Sequence, residues 1–144
     1  MSPLIEINDP RLADPAVVII DIRMGADAHG RYLAGHLPRA TFADLDKDLS
    51  SKPADAAYGG RHPLPSPVEF AATLTRWGIT PATHVICYDD KTAIMGGARL
   101  WWMLRAIGHE KVQVLNGGLK AAVDAGVPLS TDDHKPSPAA TAYP

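Results

Sequence analysis

Apolar residues along this chain gather into short β-branched runs that alternate with segments of helical spacing. Val17-Val18-Ile19-Ile20 and Val85-Ile86-Cys87-Tyr88 each lead into an aspartate, and Val112-Gln113-Val114-Leu115 stops at Asn116-Gly117-Gly118. Short continuous apolar runs with such boundaries predict strands buried on both faces of a parallel sheet. Between the first two, residues 67–77 repeat apolar positions at helical spacing. Ser66 suits the N-cap, Pro67 the first helical position and Gly78 the end. A second, strongly apolar helix is predicted over 98–107, closed by Gly108-His109, and a short third one over 119–124, ending at Gly126. Strands alternating with helices imply right-handed crossovers and an α/β open sandwich, a mostly parallel sheet of about five strands with helices on both faces.

Two stretches break this rhythm. Residues 45–65 are polar and loop-like, with Ser50-Ser51, Gly59-Gly60 and Pro53, Pro63 and Pro65. A long loop inside a small domain is expected to be functional or packed against a partner. Residues 130–144 are polar, proline-bearing and aperiodic, which predicts an extended linker.

Composition narrows the function classes. A chain of 144 residues supports one core, and a net charge of −2 offers no basic field for nucleic acid. No run approaches the roughly 20 apolar residues of a membrane span. The start, Met1-Ser2-Pro3-Leu4-Ile5-Glu6, lacks the layout of a signal peptide, so a cytoplasmic protein is expected. The single cysteine, Cys87, excludes an internal disulfide and a multi-thiolate zinc site, and the six histidines show no metal-ligand spacing. Neither metal nor cofactor is expected.

Four segments in order carry a resemblance. They are Val18-Ile19-Ile20-Asp21-Ile22-Arg23, Arg31-Tyr32-Leu33-Ala34-Gly35-His36-Leu37-Pro38-Arg39-Ala40, Val85-Ile86-Cys87-Tyr88-Asp89-Asp90 and Val114-Leu115-Asn116-Gly117-Gly118-Leu119. Together they resemble the rhodanese family, and the helix Arg99-Leu100-Trp101-Trp102-Met103-Leu104-Arg105 is similar to the first domain of tandem thiosulfate and 3-mercaptopyruvate sulfurtransferases. The resemblance implies a rhodanese-like open sandwich over residues 1–130 and an interdomain linker over 131–144, before a second, catalytic rhodanese domain. Asp21, Arg23, His36, Pro38, Arg99, Asn116, Gly117 and Gly118 are its motif positions, with structural roles expected. His36 is expected to brace its loop and Asp21 to pair with Arg23; a catalytic base and a substrate-facing carboxylate are the other readings. One departure is Arg39, where the family normally has glycine. Glycine there serves a turn with positive φ, so a different local turn is expected.

What the family does is thiolate chemistry. A cysteine takes sulfane sulfur from thiosulfate or 3-mercaptopyruvate, holds it as a persulfide and passes it to cyanide or a thiol. The thiolate sits at the start of the loop feeding a helix, where backbone N–H groups favour an anion. The matching position here is Asp89, which cannot form a persulfide, so the resemblance implies a degenerate loop: Asp89, Asp90, Lys91, Thr92, Ala93, Ile94 and Met95. Asp89 and Asp90 are expected to occupy the helix N-terminus themselves, with Mg²⁺ binding as the alternative use of paired acids. Ile94 and Met95 are expected either to line the partner domain's cleft or to begin the helix core. Trp101, Trp102 and Leu104 are expected in the core. Cys87 lies within the strand and is expected to be a small buried residue. A Cys-x₅-Arg phosphatase motif fails, because Ala93 stands six residues after Cys87.

Three functions follow. The first is the non-catalytic, cleft-covering half of a sulfurtransferase, with a small sulfur donor and acceptor in the whole enzyme. The second is a stand-alone rhodanese-like binding or regulatory module. The third is a single-domain enzyme that uses Cys87.

Overall fold

The computed structural model describes residues 1–50, 63–91 and 96–144. Five strands form one sheet: β1 (Leu4–Ile5), β2 (Val18–Arg23), β3 (Ala40–Asp44), β4 (Val85–Asp89) and β5 (Val112–Leu115). Their order is β1-β5-β4-β2-β3, and every pairing is parallel. The helices are α1 (Ala28–Ala34), α2 (Leu45–Asp48), α3 (Pro67–Arg76), α4 (Gly96–Ala106) and α5 (Gly118–Asp124). The expected α/β open sandwich with a parallel sheet is therefore present.

Alternation along the strands divides the core in two. Ile20, Ile22, Val85 and Cys87 point to one face and pack with Phe70 and Leu74 of α3 and Leu100, Met103 and Leu104 of α4. Ile19, Ile86, Tyr88 and Leu115 point to the other face, with Leu37 and Ala122. Each fully buried aliphatic side chain stabilises the fold by about 1.5–3 kcal/mol. Ser66 caps α3 as expected, its Oγ accepting from the Glu69 amide at 3.1 Å. α4 approaches β2 so closely that a Cβ on Gly96 would lie 2.6 Å from Ile22 Cγ2. Only glycine fits that contact.

Three expectations need correction. The stretch 45–65 is not loop from its start: α2 occupies Leu45–Asp48, Asp44 caps it, and Leu49 is fully buried. Residues 51–62, with most of the expected loop, lie outside the described residues. Trp102 is not core, being 53% exposed, because α4 buries Leu100, Met103 and Leu104 and turns Trp102 to the opposite side. The turn at Arg39 does not differ either. Arg39 adopts φ +66° itself, and its guanidinium donates to Leu12 O at 2.9 Å and Val17 O at 3.3 Å.

Beyond the Ser130 bridge to His36, residues 131–144 form no helix or strand. They lie against the domain all the same. The Ala139 amide donates to Thr75 O at 2.9 Å, and Tyr143 is buried in the same cluster as Trp77 and Leu104. Among the described residues, no helix is long and apolar enough to cross a membrane, and no group of three or more potential metal ligands occurs.

Candidate functional site

The carboxyl ends of β2 and β4 lie side by side, in register from Val18 opposite Val85 to Ile22 opposite Asp89. In a parallel sheet this end meets the helix N-termini, where backbone N–H groups gather and anions are favoured. Asp89 ends β4 there and is almost wholly buried. Its Oδ1 accepts from the Lys91 amide at 2.9 Å, and its Oδ2 accepts from the Gly97 amide, in the first turn of α4, at 3.0 Å. The carboxylate thus satisfies one loop amide and one amide in the first turn of α4.

Asp90 behaves otherwise than expected. Rather than joining Asp89 over α4, it forms an ion pair with Arg31 of α1 and lies 3.8 Å from Arg23 Nη1. Arg31 also pairs with Asp27, one helical turn before it, and donates to Met24 O. The paired acids therefore split: one satisfies helix amides, the other satisfies arginines, and no shared cation position results.

Asp21 and Arg23 form the expected ion pair in two parallel hydrogen bonds, Nε to Oδ1 at 2.8 Å and Nη2 to Oδ2 at 2.9 Å. Arg23 Nη2 also donates to Gly35 O at 2.7 Å, tying the end of α1 to β2. Both side chains are buried. Loss of water raises the Asp21 carboxyl above its ordinary range, and the Arg23 hydrogen bonds act against that rise. His36, fully buried, stacks on Tyr32 with ring centroids 3.9 Å apart. Its Nδ1 lies 2.8 Å from Leu37 O and its Nε2 lies 2.6 Å from Asp132 O. These contacts brace its loop and the chain's last segment.

Cys87 is fully buried in β4, its thiol directed at Gly97 O (3.3 Å) and Gln113 O (3.5 Å). Burial, and then the negative charge of Asp89, push its pKa far above the usual thiol range. A nucleophilic cysteine needs the opposite environment.

The other motif positions support the frame. Arg99 donates through Nε and Nη2 to Leu49 O at 3.2 and 2.9 Å. Asn116 donates to Glu6 Oε1 at 2.9 Å, joining the sheet to the first loop. Gly117 and Gly118 take φ +84° and +59° to open α5. Pro38 lines a cavity of about 380 Å³ with Leu12, Leu37 and Arg39, away from Asp89. Thr92, Ala93, Ile94 and Met95 lie outside the described residues. The residue that sequence reasoning missed is Arg31. Its position four residues after Asp27 is the spacing of a helical ion pair, which was the available signal.

A family model described as "Rhodanese-like domain" matches residues 6–125. The chain belongs to the rhodanese family. It is 40% identical over 139 residues to a Mycobacterium tuberculosis protein named "Putative thiosulfate sulfurtransferase SseB", covering 94% of this chain and 46% of that one. It is 38% identical over 118 residues to human 3-mercaptopyruvate sulfurtransferase, covering 81% of this chain and 38% of the relative. The 3-mercaptopyruvate sulfurtransferase of Leishmania major superposes on it with a TM-score of 0.81 at 33% identity, over 100% of this chain and 41% of that structure. This rhodanese domain thus spans less than half the length of each of the three.

Proposed function

We propose that this rhodanese domain is the non-catalytic half of a sulfurtransferase that moves sulfane sulfur from thiosulfate or 3-mercaptopyruvate to a thiophilic acceptor. In that reading a second rhodanese domain carries the reactive cysteine, and this half covers its cleft. The observation that carries the proposal is Asp89. It stands where the family's chemistry needs a thiolate, and both its oxygens accept from the loop and helix amides that would otherwise hold an anion. Cys87 offers no substitute, because its sulfur is enclosed and a thiolate there would face the Asp89 charge without solvent.

The greater length of the relatives agrees with a missing domain. The role is tested by incubating the chain with thiosulfate or 3-mercaptopyruvate and measuring its intact mass. No added sulfur is expected. Addition of one sulfur, lost in Cys87→Ala, would make this chain an enzyme in its own right.

A further inference from the structure

The segment 130–144 is fastened to the domain at both ends. At its start, Ser130 exchanges backbone hydrogen bonds of 3.0 and 2.8 Å with His36. The His36 ring reaches Asp132 O at 2.6 Å, and His29 Nε2 lies 3.4 Å from Asp133 Oδ2. Toward its end, the Tyr143 amide donates to Thr75 Oγ1 at 2.9 Å, and the Tyr143 hydroxyl meets His109 Nδ1 at 2.8 Å.

The two ends offer their imidazoles different partners. Both ring nitrogens of His36 face carbonyl oxygens, and His29 faces a carboxylate, so an added N–H at either ring meets an acceptor. His109 is arranged the other way. Its Nε2 lies 2.9 Å from Thr83 O and must carry the hydrogen, which leaves Nδ1 to accept from the Tyr143 hydroxyl. A proton on Nδ1 would set N–H against O–H, and Tyr143 would have to turn its hydrogen away within a nearly closed site.

Burial is the largest influence lowering the His109 pKa below 6.5; backbone hydrogen bonds to Thr83 and Lys111 act against it, and the charges of His84 and Lys111 add to the lowering. The strap brings only the Tyr143 phenol. From α4 comes the Leu104 carbonyl, which accepts the backbone N–H of His109 at 2.9 Å, while Arg105 and the adjoining Glu110 are exposed. From α3, Arg76 is exposed and pairs with Asp48 at 3.2 Å.

We propose that residues 130–144 form an acid-released strap: protonation of His109 unlatches Tyr143 while His36 and His29 keep the start of the segment attached. The sign follows from linkage. The latched state binds fewer protons at His109 than the open state, so latching is complete above about pH 6.5 and weakens as pH falls below it. Release would free the end of this segment from the domain and uncover the core cluster that Tyr143 shares with Trp77. This inference does not depend on the non-catalytic reading.

The test is amide hydrogen exchange on the full 144-residue chain, corrected for intrinsic rates, between about pH 7.5 and about pH 5. Protection at the Ala139 and Tyr143 amides is expected to fall by up to about tenfold per pH unit below about 6.5, while Ser130 and Ile86 stay protected. His109→Gln is expected to abolish that pH dependence; Tyr143→Phe, which keeps the ring in the core but removes the hydroxyl that donates to Nδ1, is expected to loosen the strap at neutral pH and to weaken the dependence should the first variant not fold. Persistent protection at Tyr143 at the acid end would overturn the proposal. So would an undiminished pH dependence in either variant, or a loss of protection at Ile86 in step with Tyr143.

Discussion

Asp89 Oδ2 accepts the amide of Gly97 at 3.0 Å, which joins the end of the central strand to the first turn of α4 with a buried negative charge. Such a charge-assisted bond at a helix N-terminus stabilises the domain, and the same geometry would serve a thiolate in a catalytic relative. Asp90, next in sequence, turns to α1 instead, and its ion pair with Arg31 neutralises a cation beside the same strand end.

Cys87 is expected to react slowly with a thiol reagent in native protein and quickly in denaturant. The same burial makes an alkaline prediction. An unfolded thiol titrates near 9.0, while the folded one stays protonated well beyond that value. The stability that this difference contributes is therefore present below pH 9 and lost as pH rises above it, by about 1.4 kcal/mol per unit. Denaturant melts of wild type and Cys87→Ser across that range should differ in alkaline slope. Equal slopes, or equal labelling rates in native and denatured protein, would show an exposed sulfur.

What could be read from the sequence was the part of the fold set by local pattern. β2, β4 and β5 are continuous apolar runs because α3 and α4 cover one sheet face and α5 the other. β3 lacks such a run. Ala40-Thr41-Phe42-Ala43-Asp44 becomes a strand by pairing with β2 over five positions, Ile19 to Arg23. β1 has only two residues and is held by β5 and by Gln113, whose amide donates to Ser2 O at 2.9 Å. At the site, the Asp21–Arg23 pair was legible because residues two apart on a strand share a face. The partners of Asp90 and Tyr143 were not, since Arg31 and His109 come from distant segments and the i, i+4 spacing of Arg31 points to Asp27 rather than to Asp90.

Trp102 and Leu104 lie two residues apart on α4 and should differ sharply on truncation. Leu104→Ala empties a fully enclosed position and is expected to cost about 2–5 kcal/mol. Trp102→Ala removes a ring that is 53% exposed, and about 1 kcal/mol is expected. Chemical denaturation of both variants checks the order; a larger loss at Trp102 would mean that its exposed face is covered in solution.

Arg39 combines an unfavourable backbone with favourable side-chain bonds. A non-glycine residue at φ +66° costs roughly 1–2 kcal/mol, against two hydrogen bonds from a charged group to Leu12 O and Val17 O. Arg39→Ala keeps the strain and loses the bonds, so destabilisation by about 1–3 kcal/mol is expected. Arg39→Gly loses the same bonds but relieves the strain, and should be more stable than the alanine variant by about 1 kcal/mol. Thermal melts that rank alanine above glycine would refute the account of this turn.

Asp89→Cys would place a thiol beside the Lys91 and Gly97 amides, yet it is expected to form a persulfide only slowly. Two arginines stand close to this strand end, but Asp90 holds Arg31 and lies 3.8 Å from Arg23. A carboxylate next in sequence to a thiol raises the thiol pKa, and the cations that would lower it are already neutralised. Asp90→Asn removes the opposing charge and releases Arg31, so the double variant Asp89→Cys, Asp90→Asn should load sulfur faster than the single one. Replacing Asp90 with arginine instead would set three guanidinium groups together and is expected to disturb the loop. The measurement is the rate of mass gain on exposure to thiosulfate for wild type, single and double variants, with the thiol pKa taken from the pH dependence of alkylation. If both variants load at the same rate and show the same thiol pKa, the charge of Asp90 does not govern the reactivity of a cysteine at position 89.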